Sequence, residues 1–384
     1  MKKVILKLLS YVLVALIAAG TTAGCFLFAQ PNDSGKLQEV SSLLHRYFIG
    51  ETDTEILEDA AAAAMVQALG DRWSYYMTPE QYLSYQQTMS NSFVGVGITV
   101  RAREDKQGYD IISITRGSPA EVGGVLAEDV LIAVDGTSIL GMAVGDVSAL
   151  IKGEENTSVK ITVARQGQQL DFTLTRKKIQ TPVATGRLLA DNIGLVTIEN
   201  FDARCADETI SVIESLLEQG AQALIFDVRN NPGGYKNELV KLLDYLLPEG
   251  PLFRAEDYRG VQNVDYSDAR HLDIPMAVLV NLSSYSASEF FAAALEEYEA
   301  AITVGEKTFG KGYFQQTFPL SDGSAVNLSV GKYTTPNGVT LAGVGLTPQI
   351  NIPVDEDTAA KIAAGTLPPE EDPHIIAAIN ALKS

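Results

Sequence analysis

Three stretches of the chain carry residue types that could take part in nucleophilic catalysis. The first, residues 281–289, reads Asn-Leu-Ser-Ser-Tyr-Ser-Ala-Ser-Glu and lies where a buried strand is predicted to end and a helix to begin. A hydroxyl there meets unsatisfied backbone amides and the positive end of the helix dipole, which favour an anionic intermediate. Ser286 is therefore a candidate nucleophile. Ser286 and Glu289 also have the spacing of a capping box, and Ser284 and Ser288 alternate with Ser286, so a purely structural role stays open.

The second stretch centres on Lys311, which lies between two glycines in Thr-Phe-Gly-Lys-Gly-Tyr-Phe-Gln. A lysine acts as a general base only when burial lowers its pKa toward neutrality. Neighbouring aromatic side chains are available to bury it: Phe309, Tyr313 and Phe314. If a strand begins at Lys311, then Lys311, Tyr313 and Gln315 project from one face. A surface lysine in a turn is the alternative.

The third stretch, residues 227–234, reads Asp-Val-Arg-Asn-Asn-Pro-Gly-Gly and follows a short apolar strand. Pro-Gly-Gly ahead of a helix can present bare backbone amides to a developing negative charge. A plain turn fits the same residues.

The elements that must position these residues alternate between strand and helix from about Thr181 to Ile352. This alternation predicts an α/β layer arrangement, and the fully apolar run at 277–280 predicts strands buried on both faces. The predicted strands include Ala223–Phe226 and Met276–Val280, and the predicted helices include Ile210–Leu217, Glu238–Leu246 and Ala287–Glu299.

Residues 91–178 have a different pattern, in which short β-branched runs alternate with turn residues. The pattern predicts a compact, mainly β module with two short helices, one after Ser118 and one over Val144–Leu150. Its predicted strands are Phe93–Val100, Tyr109–Ile114, Val130–Val134, Val159–Val163 and Leu170–Leu174.

Residues 36–90 show helical spacing of apolar residues and a capping box at Thr78-Pro-Glu-Gln81. No chemistry is visible in this region, so we expect a packing or dimerisation bundle, and a homodimer is compatible with it.

The N-terminus is typical of an export signal or anchor, because basic Met1-Lys2-Lys3 precedes an uncharged run from Leu8 to Ala29. As a helix this run is about 33 Å long, enough for the hydrocarbon core of a membrane. An uncleaved single-span anchor, a cleaved signal peptide and a lipoprotein signal ending at Cys25 all remain open. Each of them predicts that the bulk of the protein lies outside the cytoplasm.

Composition excludes several classes of function. The chain has 48 Asp and Glu against 29 Lys and Arg, a formal charge of −19, so its surface repels nucleic acid. The only cysteines, Cys25 and Cys205, exclude a disulfide scaffold, and the three scattered histidines give little support for a metal site. We expect no cofactor and no metal. Cys205 is expected to be a buried or free thiol.

Taken together, the motifs resemble the carboxyl-terminal processing peptidases, the tail-specific serine proteases of family S41. Ser286, Lys311 and Gln315 follow Asn-Asn-Pro-Gly-Gly in the family's order. Leu-Gly-Asp-Arg-Trp-Ser-Tyr-Tyr at 69–76 is similar to the segment that precedes the family's PDZ domain, and Phe-Val-Gly-Val-Gly-Ile at 93–98 is similar to the PDZ carboxylate-binding loop. Other matching segments are Gly-Ser-Pro-Ala-Glu at 117–121, Asp-Val-Leu-Ile-Ala-Val-Asp-Gly at 129–136, Thr-Pro-Asn-Gly at 335–338 and Gly-Leu-Thr-Pro at 345–348.

The resemblance implies a multidomain chain, part α/β and part mainly β. The segments are a signal or transmembrane anchor (1–29), a linker and helical region (30–90), a PDZ domain of strands and two helices (91–178), a ClpP/crotonase-like α/β protease core (179–354) and a tail helix (355–384).

The resemblance also implies an extracytoplasmic serine endopeptidase that cuts protein substrates near their C-termini. Ser286 is the implied nucleophile, Lys311 its general base and Gln315 a residue that orients the lysine. Backbone amides of Gly233 and Ala287 form the implied oxyanion hole. The PDZ loop Gly95, Val96, Gly97 and Ile98 is implied to bind a substrate's free C-terminal carboxylate or to gate the site.

Some residues depart from the family pattern. Ser283 and Tyr285 replace a glycine and an alanine beside the nucleophile, and Glu128 stands where a glycine is usual before Asp129. One alternative is therefore a catalytically inactive PDZ scaffold that binds protein C-termini. Another is a Ser–His–Asp esterase using His374, although the Gly-x-Ser-x-Gly elbow is absent.

Overall fold

A computed structural model describes residues 35–383, which divide into two compact units at Ala68 and Leu69. The described part of the first unit consists of two helices, α1 (Gly35–Tyr47) and α2 (Thr54–Gln67). Asp53 caps α2 by accepting hydrogen bonds from two amides of its first turn. Neither helix has a fully buried residue.

The predicted membrane segment, Leu8–Ala29, lies outside the described residues. Among residues 35–383, no helix combines the length and the apolar character that crossing a bilayer requires.

The second unit opens with strand β1 (Tyr75–Met77) and helix α3 (Pro79–Met89). The predicted capping box is confirmed: the Gln81 amide donates to the Thr78 hydroxyl, and the Thr78 amide donates to the Gln81 side chain. A mainly β module follows. Its elements are β2 (Ser92–Gly95), β3 (Ile98–Ala102), β4 (Tyr109–Ile114), α4 (Pro119–Gly123), β5 (Val130–Val134), β6 (Thr137–Ser138), α5 (Val144–Ile151), β7 (Ser158–Arg165), β8 (Gln168–Thr175) and β9 (Lys177–Gln180).

Strands β3, β4, β5, β7 and β8 form one sheet in that order, with β6 on β5, and β2 pairs with β9. The module has its own apolar core, which includes Ile111, Leu131 and Ile161. The segment 93–100, predicted as a single strand, is split at Val96 and Gly97, where Gly97 has a positive φ of 80°. Glu128 adopts a positive φ of 75°, so the turn keeps a glycine-like conformation despite the substitution.

The rest of the second unit is an α/β core. Its elements are β10 (Ala184–Leu188), a 3-10 turn (Ala190–Asn192), β11 (Ile193–Ile198), α6 (Cys205–Glu218), β12 (Ala223–Asp227), α7 (Lys236–Leu246), β13 (Gly250–Asp257), β14 (Gln262–Ser267), β15 (Met276–Val280), α8 (Ala287–Glu297), β16 (Ala301–Gly305), β17 (Tyr313–Pro319), β18 (Ala325–Thr334), β19 (Ile350–Asn351), α9 (Glu356–Ala363) and α10 (Pro373–Leu382).

The central sheet has the order β10-β11-β12-β15-β16-β19, parallel except for the β10–β11 pair. Helices α6, α7 and α8 supply one apolar core, and α10 packs in a second core through Ile375 and Ala378. Every residue of β15 is buried, as its apolar run predicted. Because parallel strands share an edge at their carboxyl ends, the loops after β12 and β15 lie side by side.

A second sheet has the order β1-β18-β13-β14, and β17 also pairs with β18, from Lys332 to Ala325. Phe253 of β13 and Tyr333 of β18 both pack against Phe290 of α8, with ring centroids 4.7 and 5.7 Å apart. This aromatic contact ties the second sheet to the helix that begins beside Ser286.

A buried charge cluster fastens the C-terminal helix to the loop after β12. Arg229 forms ion pairs with Asp227 at 2.6 Å and with Asp372 at 2.8 Å, and its side chain and that of Asp372 are 4% and 3% exposed. Burial opposes the guanidinium charge, but the two carboxylates outweigh that effect and raise the pKa of Arg229. The arginine therefore stays charged inside the protein.

We predict that Asp372→Ala lowers the free energy of unfolding by about 3 kcal/mol, because it leaves Arg229 buried with one ion-pair partner. Lys383→Ala is the matched control, since its exposed pair with Asp191 contributes less than about 1 kcal/mol. Urea denaturation followed by fluorescence of the single tryptophan measures both. Equal losses in the two variants would contradict the prediction.

Candidate active site

Ser286 is the N-cap of α8 and has a strained backbone, with φ 62° and ψ −123°. The hydroxyl of Ser286 makes no capping hydrogen bond. Only half of the capping box forms, because the Ser286 amide donates to the carboxylate of Glu289. The hydroxyl is therefore not engaged in holding the helix end.

The two neighbouring serines have structural roles. Ser284 and Ser288 are both fully buried. The Ser284 hydroxyl donates to the carbonyl oxygen of Val228 at 2.7 Å, and the Ser288 hydroxyl donates to that of Asn231 at 2.7 Å. Both bonds tie the serine segment to the loop after β12. These contacts distinguish Ser286 from the serines on either side of it.

Glu289 joins the nucleophile segment to the lysine segment. Its carboxylate is fully buried and accepts hydrogen bonds from the hydroxyl of Thr308 at 2.5 Å and the amides of Gly310 at 2.6 Å and Lys311 at 3.0 Å. Burial raises the pKa of Glu289, against these hydrogen bonds, which favour its charged form. One side chain thus fixes the main chain at both Ser286 and Lys311.

Lys311 lies beneath aromatic rings. Its Nζ atom is 4.3 Å from the ring centroid of Trp73, and Trp73 packs against Tyr285 and Phe309. Burial lowers the pKa of Lys311 to about 8, although the nearby carboxylates of Asp71 and Glu289 act in the opposite direction. A substantial fraction of the lysine is therefore neutral in mildly alkaline solution.

Tyr333 lies next to both residues. Its hydroxyl donates to the carbonyl oxygen of Lys311 at 2.5 Å and is within hydrogen-bonding reach of the Ser286 side chain. Burial raises the pKa of Tyr333, so the phenol stays protonated. The sequence did not indicate that Tyr333 or Trp73 belongs to the site, since an aromatic residue in a strand or a turn carries no chemical signal of its own.

The structure differs from the predicted strand at Lys311. Strand β17 begins at Tyr313, and an irregularity in its pairing falls between Phe314 and Gln315. The Gln315 amide donates to Tyr313 and to the hydroxyl of Ser329 at 3.1 Å, and among the described residues it makes no bond to Lys311. The expected direct orientation of the lysine by Gln315 is not formed.

The predicted oxyanion hole also needs correction. The Gly233 amide donates to the side chain of Asn231 at 2.8 Å, so it is already engaged. The adjacent Gly234 lines the same cavity as Ser286 and Ala287. Within the described part of the chain, the amides of Gly234 and Ala287 have no internal acceptor. Gly234 and Ala287 are thus the available pair of donors.

A cavity of about 620 Å³ opens at Ser286. Its walls are largely aromatic and apolar, and Lys311 is not among the residues that form them. The lining includes Tyr75, Tyr82, Tyr85, Leu239, Phe253, Phe290, Phe314 and Tyr333, with Gln315 at the same wall. Such a pocket suits an apolar segment of a polypeptide.

His374 is not available as an alternative base. It is buried, its Nε2 atom lies 2.8 Å from the carbonyl oxygen of Ile352, and its Nδ1 atom lies 3.3 Å from Arg229. Cys205 is buried, as expected, and burial raises the pKa of its thiol. Within residues 35–383, no group of three or more His, Cys, Asp or Glu side chains is arranged to hold a metal ion.

The loop of Gly95, Val96, Gly97 and Ile98 lies at the start of the mainly β module. The Ala120 amide donates to Val96, and among the described residues the amides of Val96 and Gly97 have no backbone partner. A side chain at position 97 would meet Ser118 at 2.3 Å, so only glycine fits there. Two free amides are consistent with a carboxylate-binding loop.

Comparison with known proteins identifies relatives of this chain. Residues 192–352 match the model of peptidase family S41, and residues 111–165 match a PDZ domain model. A probable CtpA-like serine protease of Staphylococcus aureus (strain N315) is 32% identical over 351 residues, which cover 88% of this chain and 70% of that protein. The corresponding protein of Staphylococcus haemolyticus is 32% identical over 353 residues, covering 88% and 71%.

A solved structure of a putative S41 protease from Bacteroides fragilis has a similar fold. The TM-score is 0.51 at 16% identity, over 84% of this chain and 89% of that one.

We predict that Gly233→Ala lowers kcat/KM by about 100-fold, the loss expected when an oxyanion site is displaced. An added Cβ would lie 2.7 Å from the Ala287 nitrogen and 2.8 Å from the Ser286 Cβ. Gly260→Ala is the control, since Gly260 has a similar positive φ, 78° against 89°, but open space around it. Peptide hydrolysis measures both variants, and near-wild-type activity in Gly233→Ala would contradict the prediction.

Proposed function

The chain belongs to peptidase family S41 and is a serine peptidase, and from this premise we propose that it cuts protein substrates with a Ser286–Lys311 dyad. The observation that carries the proposal is the Ser286 hydroxyl, which does not cap its helix and opens on the cavity, on a segment that Glu289 and Tyr333 connect to the partly buried Lys311. Tyr333 and Glu289 each contact both residues, which supports their acting together.

In the proposed reaction the neutral amine of Lys311 accepts the proton of the Ser286 hydroxyl as the Oγ atom attacks the scissile carbonyl carbon. The carbonyl oxygen becomes an oxyanion, which the amides of Ala287 and Gly234 stabilise. The C–N bond then breaks, and the Lys311 ammonium returns its proton to the leaving amine. Water hydrolyses the acyl-enzyme with the same lysine as base.

This mechanism predicts a distinct pH dependence. The protonated lysine cannot accept a proton, so kcat/KM should rise with pH through about 8, where Lys311 loses its charge. Lys311→Ala should lose activity by at least about 100-fold, since a general base contributes roughly that much. Hydrolysis of an unstructured protein between pH 6 and 10 tests this. A rise in kcat/KM with its midpoint near about pH 6.5 would indicate a histidine base instead.

The inactive-scaffold alternative makes the opposite prediction for labelling. A serine-reactive phosphonate should label Ser286 in the wild-type protein and leave Ser286→Ala unlabelled, because Ser284 and Ser288 are buried and hydrogen-bonded. Absence of labelling in the wild-type protein, or wild-type-like hydrolysis by Ser286→Ala, would contradict the proposed dyad. Mass spectrometry of the labelled peptide reads out the site.

We further propose that the PDZ domain binds the free C-terminus of the substrate. The free amides of Val96 and Gly97 support this, since a carboxylate is their natural acceptor. Substrates that differ only in a free or an amidated C-terminus should then differ in KM by about tenfold, with kcat unchanged if the domain only tethers. Equal kinetic constants for both substrates would count against this role.

The basic residues and the uncharged run of the N-terminal segment support an extracytoplasmic enzyme on a membrane anchor. Accessibility of the full chain to protease added outside intact cells tests this location.

Exposed apolar residues on the first unit, including Leu37, Val40 and Leu43, support a homodimer. Measurement of the molar mass by light scattering tests this.

A further inference from the structure

The loop ahead of β1 holds a carboxylate in a fixed position. Asp71 accepts hydrogen bonds from the Trp73 amide at 3.1 Å, from the Ser74 hydroxyl at 2.6 Å and from the Ser329 side chain on β18. Burial acts against the charged form, but these hydrogen bonds outweigh it and lower the pKa of Asp71. Asp71 is therefore an anion at neutral and alkaline pH.

Main-chain contacts set the position of this loop. The Ser329 amide donates to the Ser74 hydroxyl at 3.0 Å, and the Asn327 side chain donates to the carbonyl oxygen of Trp73 at 3.0 Å. Tyr75 then pairs with Asn327 as β1 joins β18. Asp71 consequently has little freedom to move relative to the second sheet.

The same loop contacts the catalytic lysine. The Trp73 ring lies 4.3 Å from the Nζ atom of Lys311, and the Arg72 guanidinium lies 4.6 Å from the same ring. Two carboxylates, Asp71 and Glu289, act electrostatically on the ammonium. The oxygens of Glu289 are occupied by the main chain at residues 310 and 311 and by Thr308, so Glu289 serves mainly to hold the loop.

We propose that Asp71 is a positioning residue of the peptidase reaction, whose fixed carboxylate stabilises the ammonium form of Lys311 and keeps it against the Trp73 ring. This inference rests on the proposed Ser286–Lys311 dyad. The proton moves from the Ser286 Oγ atom to the Lys311 Nζ atom and later to the leaving amine. Asp71 takes no proton, and it acts as the carboxylate does in a Ser–His–Asp triad.

Gln315 contributes to this arrangement indirectly, through Ser329. Its side-chain amide donates to the Ser329 hydroxyl, which in turn contacts Asp71. The glutamine therefore supports the carboxylate that acts electrostatically on the lysine. This explains how Gln315 belongs to the site without a hydrogen bond to Lys311.

The test compares Asp71→Asn and Asp71→Glu with Asp322→Asn as a matched control. Asp322 also accepts hydrogen bonds from a nearby serine amide and hydroxyl, but it lies in the β17–β18 turn. The other charged and titratable groups on the segments packed around Lys311 are unchanged in these variants: Arg72 and Tyr285, which contact the Trp73 ring, Glu289, which binds the Lys311 amide, and Tyr333, which binds its carbonyl oxygen.

Removing the negative charge at position 71 lowers the pKa of Lys311, because one of the two carboxylates that favour its ammonium form is lost. The acid limb of the profile, which is the rise of kcat/KM with pH as Lys311 loses its proton, should therefore move to lower pH by about one unit in Asp71→Asn. At the alkaline plateau, kcat should fall about tenfold. Asp71→Glu should return the limb toward its wild-type position, and Asp322→Asn should leave it unchanged. Peptide hydrolysis between pH 6 and 10 gives all four profiles.

Failure of the proposed role of Asp71 can be distinguished from failure of the proposed dyad. For this, phosphonate labelling of Ser286 is measured over the same pH range in the wild type and in Lys311→Ala. If Asp71→Asn loses activity equally at every pH, or keeps the wild-type limb, the role of Asp71 is overturned while the dyad stands. If Lys311→Ala keeps the wild-type limb, the dyad itself is wrong. As a control for folding, the thermal unfolding midpoint of Asp71→Asn should match that of the wild type.

Discussion

The site depends on one buried carboxylate, that of Glu289. It accepts hydrogen bonds from the main chain at Ser286 and at Lys311, two positions that lie on different elements. A buried carboxylate without partners would be strongly unfavourable, and here the Thr308 hydroxyl and three amides supply them. Ser286 and Lys311, the proposed nucleophile and base, are thereby placed by main-chain bonds, which are less mobile than the contacts of long side chains.

The parallel sheet supplies the second constraint. Loops after β12 and β15 meet at the carboxyl edge of the sheet, and Ser284 and Ser288 bond the second loop to the first. These bonds bring Gly233 so close to Ser286 that no side chain fits between them. Gly234, Ser286 and Ala287 consequently line a single cavity.

The environment of Lys311 combines opposing effects. Burial favours the neutral amine that the proposed reaction requires, whereas Asp71, Glu289 and the face of the Trp73 ring favour the ammonium. Burial prevails, so the lysine is less basic than a lysine in water. In the proposed reaction these opposing charges stabilise the ammonium that Lys311 becomes when it accepts a proton.

Local patterns in the sequence determined much of the protein. Apolar runs and turn residues predicted β4, β5 and β15 with the bounds observed, and the order of Ser286, Lys311 and Gln315 indicated the family before any contact was known. The bounds of these strands depend on residues that are close in the sequence, and so does the capping box at Thr78.

Only the tertiary structure decided which polar groups are free. The sequence could not show that the Gly233 amide donates to Asn231 or that Gln315 donates to Ser329. Nor could it show that Asp71 and Trp73, which precede Lys311 by 240 and 238 positions, act on that lysine. The physical reason is that the pKa and the hydrogen bonding of a group depend on what surrounds it in space. Those surroundings are assembled from distant segments when the chain folds.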